Sequence, residues 1–90
     1  MRTLEECRRE LDIIDKQVIE LFEKRMNVIK DVALYKKENK LPILDEQRET
    51  LMLEANVKKF KNIELQKYYK TVLQAFLVVS KEYQKEIIQK

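Results

Sequence analysis

Glycine is absent from this chain, as are histidine and tryptophan, while proline and cysteine occur once each, at Pro42 and Cys7. Each absence removes a class of chemistry. Phosphate-cradling loops, dinucleotide-binding turns and EF-hand bends all need glycine backbone, so none can be built here. Without histidine, and with one cysteine, there is no ordinary zinc site and no Ser-His or Cys-His nucleophile pair, so no metal is expected. One cysteine forms no internal disulfide, which suits a reducing, cytoplasmic setting. The first residues are charged and carry no apolar signal core. No apolar run approaches the roughly 20 residues of a membrane span, so no membrane partner is expected. Lys+Arg is 19 against 16 Asp+Glu, a net charge of +3. That is too small and too dispersed to argue for nucleic acid. The 90 residues make one domain, residues 1–90. Any catalysis must run on Arg, Lys, Asp, Glu, Gln, Ser or Tyr.

What is present reads as an all-α chain of one long, one short and one medium-long helix. Leu4, Cys7, Leu11, Ile14, Val18, Leu21, Val28, Val32 and Tyr35 recur at spacings of three and four and form a heptad seam. They predict a first helix over about 4–38, capped by Thr3 with Glu6 three residues on, and ended by Asn39 and Pro42. Asp45 is the expected N-cap of a second helix to about residue 57. A basic connector, Lys58-Lys59-Phe60-Lys61-Asn62, leads to a third helix over about 63–88. That helix carries one stripe of Leu65, Tyr69, Val72, Phe76, Val79 and Tyr83, and a second of Leu73, Leu77, Ser80, Gln84 and Ile87. A helix over 4–38 is ~52 Å long. A compact chain of this size is roughly 30 Å across. The long helix therefore outruns such a body, and a helical homodimer is the simplest way to cover its seam.

Three features put polar groups in apolar places. Arg25 breaks the seam between Leu21 and Val28, and Lys36 follows eleven residues later, about 20° round the helix and ~16 Å along it. The two side chains can converge on one small anion. Equally, Arg25 can pair with a core carboxylate and Lys36 can snorkel to water. Arg8 lies ~25 Å from Arg25 along the same helix, so the two reach one small ligand only if an antiparallel partner chain supplies Arg8; otherwise it is a surface arginine. Ser80 and Gln84, four apart, interrupt the third helix's stripe and read either as a register-fixing pair or as site groups. Asp45, Arg48 and Glu49 make a one-turn cluster, readable as a cap with an ion pair. The set suits a small dianion, with no nucleophile–base pair in it.

These residues also carry a resemblance. The blocks Leu4-x-x-x-Arg8-x-x-Leu11-Asp12-x-Ile14-Asp15, Leu21-Phe22-x-x-Arg25-Met26, Val32-x-x-x-Lys36 and Pro42-Ile43-x-Asp45-x-x-Arg48-Glu49 resemble the all-helical class of chorismate mutase. Ser80-x-x-x-Gln84 fits the same pattern. The resemblance runs in order through nearly the whole chain. It implies three helices in an intertwined dimer with two active sites. It further implies cofactor-free Claisen rearrangement of chorismate to prephenate, on the shikimate-derived route to phenylalanine and tyrosine.

Carried over residue by residue, the resemblance gives Arg25 and the partner chain's Arg8 the substrate carboxylates. Lys36 and Gln84 take the ether oxygen. Glu49 and the backbone at Asp45 take the ring hydroxyl, and Arg48 and Ser80 complete the pocket. Arg25, Lys36 and Gln84 are then the catalytic set. With no dehydratase, dehydrogenase or synthase sequence in the chain, a stand-alone, monofunctional mutase is expected. A lyase that eliminates pyruvate from isochorismate shares the equivalents of Arg8, Arg25, Lys36 and Gln84. The Asp45–Glu49 cluster favours the mutase, because an acidic group suits chorismate's ring hydroxyl. A non-catalytic helical dimerisation module is disfavoured by the polar interruptions at Arg25, Ser80 and Gln84. A DNA-binding helical dimer is disfavoured by the mixed charge along each helix.

Overall fold

Two short side chains start two of the helices. In the computed structural model, which describes residues 1–89, Thr3 Oγ1 accepts the Glu6 backbone N–H at 3.1 Å and opens α1 (Leu4–Glu38). Asp45 Oδ1 accepts the Arg48 backbone N–H at 3.1 Å and opens α2 (Glu46–Lys58). Each satisfies one amide that the first helical turn leaves without a partner. At the third start, Asn62 Oδ1 accepts from the Glu64 N–H at 3.1 Å beside α3 (Ile63–Gln89). The three predicted helices are observed, with boundaries differing by a residue at the ends of α2 and α3.

The end of α1 is closed without glycine. The Asn39 N–H donates to Tyr35 O at 3.0 Å, and the Leu41 N–H reaches back to Lys36 O at 2.8 Å. This closure needs a left-handed residue between them, and Lys40 fills it with φ 55°. A side chain at that φ costs about 1–2 kcal/mol relative to a helical one. The turn then sends residues 41–45 back across the end of α1.

Contacts between helices rise together along α1 and α3, from Phe22–Phe76 to Arg25–Ser80 to Lys36–Gln84, so these two helices run in the same direction. α2 runs against α3, with Glu49 near Lys81 at one end and Phe60 on Tyr69 at the other. α1 turns only its C-terminal half toward α3. Phe22, Arg25, Met26, Ile29, Ala33 and Lys36 lie on that covered face, and Ala33 is fully buried. On α3 the stripe of Leu73, Ser80 and Gln84 is buried, while Leu65, Val72 and Val79 of the other stripe stay largely exposed.

A single chain therefore covers little of its apolar surface. Leu4, Leu11, Ile14, Val18 and Leu21 continue the seam beyond the reach of α3 and are all exposed. The chain exposes 7876 Å², whereas a folded monomer of this mass exposes about 5,600 Å². Its radius of gyration is 16.4 Å and its extents are 55 × 27 × 15 Å, against roughly 12 Å for a compact chain of this length. No helix among the described residues is long and apolar enough to cross a membrane.

Ala33 has no room for a larger side chain where α1 meets α3. Ala33→Leu should destabilise the fold by about 1–3 kcal/mol, read as a lower urea midpoint at fixed protein concentration. An unchanged midpoint would contradict the close approach at this position.

Candidate active site

The site forms where the end of α1, the turn into α2 and the middle of α3 meet. Aromatic packing between α1 and α3 holds Arg25 at its edge. Phe22 and Phe76 rings lie 6.4 Å apart, and the Arg25 guanidinium carbon sits 5.2 Å over the Phe76 ring. That contact, together with a bond from Arg25 Nη1 to Ser80 Oγ at 2.7 Å, fixes the guanidinium. Of the two readings the sequence left open for Arg25, the partners found here are a hydroxyl and a ring. A guanidinium has five N–H donors, so one bond to Ser80 leaves capacity for an anion.

Lys36 does not reach out to water. Its Nζ donates to Ile43 O at 2.8 Å and to Gln84 Oε1 at 3.0 Å. Gln84 is 5% exposed and Ser80 4%, so both polar groups are placed where an unpaired one would be expensive. Because Gln84 Oε1 accepts from Lys36, its amide NH₂ is the end left as a donor. Lys36 retains one further N–H. Two donors from different helices are thus held side by side.

The opposite wall comes from α2. Asp45 holds its carboxylate on the Arg48 backbone N–H, while Arg48's side chain and Glu49 line the cavity. Glu49 is half-buried and pairs with Lys81 on α3 at 2.9 Å. Ile29, Val32, Met52 and Leu77 supply the apolar lining of a cavity of ≈ 190 Å³. Four cations, Arg25, Lys36, Arg48 and Lys81, face two carboxylates that already have partners. Such a balance in a confined space favours a small anion. A larger groove of ≈ 300 Å³ between Leu53, Val57 and Lys70 has no comparable convergence of buried polar groups.

Arg25, Lys36, Asp45, Arg48, Glu49, Ser80 and Gln84 are brought together here, and Arg8 is not. It sits exposed near the far end of α1, ~25 Å from Arg25 by helical rise. Sequence reasoning missed Lys81, Ile29 and Met52. Lys81 had a signal, since it lies three residues before Gln84 and so shares its helix face. Among the described residues no group of three or more His, Cys, Asp or Glu side chains is placed to hold a metal ion.

The model of the family described as chorismate mutase type II matches residues 7–85. The chain belongs to the chorismate mutase type II family. That match takes in every site residue named above, all of α2, and all but the start of α1 and the end of α3. The chain is also 38% identical over 55 residues to the T-protein of Haemophilus influenzae. The aligned part is 61% of this chain and 15% of that protein, so the chain matches only a small section of its relative. No solved structure gives a significant match. Within this type II domain, the polar residues of the cavity come from all three helices.

Proposed function

We propose that residues 1–90 act as a chorismate mutase, converting chorismate to prephenate in aromatic amino-acid biosynthesis without a cofactor. The observation that carries this reading is the pairing of Lys36 Nζ with Gln84 Oε1 at 3.0 Å inside a cationic cavity. In the rearrangement a C–O bond breaks as a C–C bond forms within one molecule. Negative charge grows on the ether oxygen as the bond opens. The remaining Lys36 N–H and the Gln84 amide NH₂ are two fixed donors suited to that oxygen. They stabilise it more in the transition state than in the ground state. Arg25 binds a substrate carboxylate and favours the folded conformer in which the reacting carbons approach. Ser80 orients Arg25 and meets the ring carboxylate, Arg48 adds charge at the α2 wall, and Glu49 with the backbone at Asp45 accepts the ring hydroxyl. No proton moves in the rearrangement, so the absence of histidine is no obstacle. A millionfold acceleration needs only about 8 kcal/mol, within reach of two or three charge-assisted contacts plus orientation.

The working form in this reading is an intertwined homodimer in the cytoplasm. Support comes from the surface one chain leaves uncovered. Its excess over a folded monomer is about 2,300 Å², which is in the range of permanent interfaces. The uncovered seam runs along α1 and includes the N-terminal half that carries Arg8, with Leu4, Leu11, Ile14, Val18 and Leu21 exposed there. An antiparallel partner would cover Leu11, Val18 and Leu21 and bring its own Arg8 to the cavity, adding a second carboxylate clamp.

The direct test offers chorismate and isochorismate separately and follows prephenate and pyruvate. Prephenate formed from chorismate as the faster reaction is expected; faster pyruvate release from isochorismate would contradict the assignment. Gln84→Glu tests the ether-oxygen contact. Beside Lys36 the new carboxyl would be ionised at neutral pH and unable to donate. Turnover there should fall by about 100-fold and recover as pH drops and the carboxyl gains a proton. A pH–rate profile matching the wild type would remove Gln84 from the ether oxygen.

A further inference from the structure

Lys81 lies outside the residues the resemblance supplies, yet it lines the same cavity as Glu49. Its Nζ is 2.9 Å from Glu49 Oε1, with the side chains 35% and 19% exposed. Ordinary surface ion pairs fluctuate because both side chains are long and solvated. Here both ends are anchored. Lys81 leaves α3 between Ser80 and Gln84, whose hydrogen bonds to α1 fix the rotation of that helix. Glu49 leaves the first turns of α2, where the Asp45 cap and the Glu49 N–H bond to Asp45 O fix the backbone.

We infer that Lys81 is a positioning residue that holds Glu49 by one carboxylate oxygen and presents the other to the substrate's ring hydroxyl. The inference rests on the mutase reading above. A carboxylate can serve two donors at once, so an ammonium on Oε1 leaves Oε2 able to accept in a fixed plane. The same bond keeps Glu49 from its other neighbours. Arg48 and Lys36 line this cavity too, and an unheld carboxylate there would pair with a cation that the substrate needs. Lys81 thus keeps an acidic group available to the hydroxyl without neutralising the anion-binding side.

The test uses Lys81→Met, which keeps chain length and removes charge, and Lys81→Arg, which keeps the charge. Each is assayed with chorismate and with an analogue lacking the ring hydroxyl, and each is checked for its thermal midpoint. Lys81→Met should lower kcat/KM for chorismate by about tenfold, the size of one misplaced charge-assisted hydrogen bond. The analogue should lose less than about twofold, and Lys81→Arg should regain most of the chorismate activity. Equal losses on both substrates, with a lower midpoint, would mean that Lys81 only fastens α2 to α3, and would overturn the inference. So would wild-type kinetics for Lys81→Met. A wild-type chain that turns over no chorismate would instead overturn the mutase reading, and the inference with it.

Discussion

One ammonium group joins three parts of the molecule. Lys36 Nζ, at the end of α1, bonds to Gln84 on α3 and to the Ile43 carbonyl in the turn before α2. The consequences run outward from there. The turn must double back over the end of α1, which is why Lys40 takes a left-handed conformation in a chain without glycine. Gln84 must be buried and oriented, which fixes the rotation of α3. The rotation of α3 in turn places Ser80 under Arg25 and Lys81 beside Glu49. A lysine so held has little rotational freedom left to lose when a ligand arrives, which is the preorganisation an electrostatic catalyst needs.

This arrangement shapes stability as well. Ala33 and Leu73 are the buried apolar residues, whereas Ser80 and Gln84 occupy positions that could have carried leucine. Polar groups in such places stabilise less than apolar packing and are tolerated only when satisfied. Among the described residues no buried side-chain nitrogen or oxygen lacks a hydrogen-bond partner. A thin, partly polar interior is hard to sustain in a lone chain of 90 residues. The proposed dimer answers this by burying Leu11, Ile14, Val18 and Leu21, so folding and site assembly become one event.

Much of this was legible in the sequence, for identifiable reasons. Thr3 and Asp45 act locally, within three residues of the amides they cap, so their roles follow from chain order alone. The breaks at Arg25, Ser80 and Gln84 stood out because a polar group in a periodic apolar stripe is costly unless it is paired or put to use. Their mutual pairing was not legible, since Arg25–Ser80 and Lys36–Gln84 span 55 and 48 residues and depend on the rotation of α1 against α3. The heptad seam identified α1 correctly, but part of the helix's packing face was hidden. Residues such as Phe22, Met26 and Ile29 lie beside the seam, and one chain covers them while leaving most of the seam bare. Lys81 does not stand out in the sequence because lysine on a helix is usually surface charge, and only the position of α2 turns it toward Glu49.

The central claim is that two chains build each site, with Arg25 from one and Arg8 from the other. It is tested most directly by mixing Arg8→Ala chains with Arg25→Ala chains, each inactive alone, and measuring prephenate formation after subunit exchange has been verified by mass spectrometry. A heterodimer has one intact site, so an equal mixture should recover about a quarter of wild-type activity. No recovery in verified heterodimers would contradict the account.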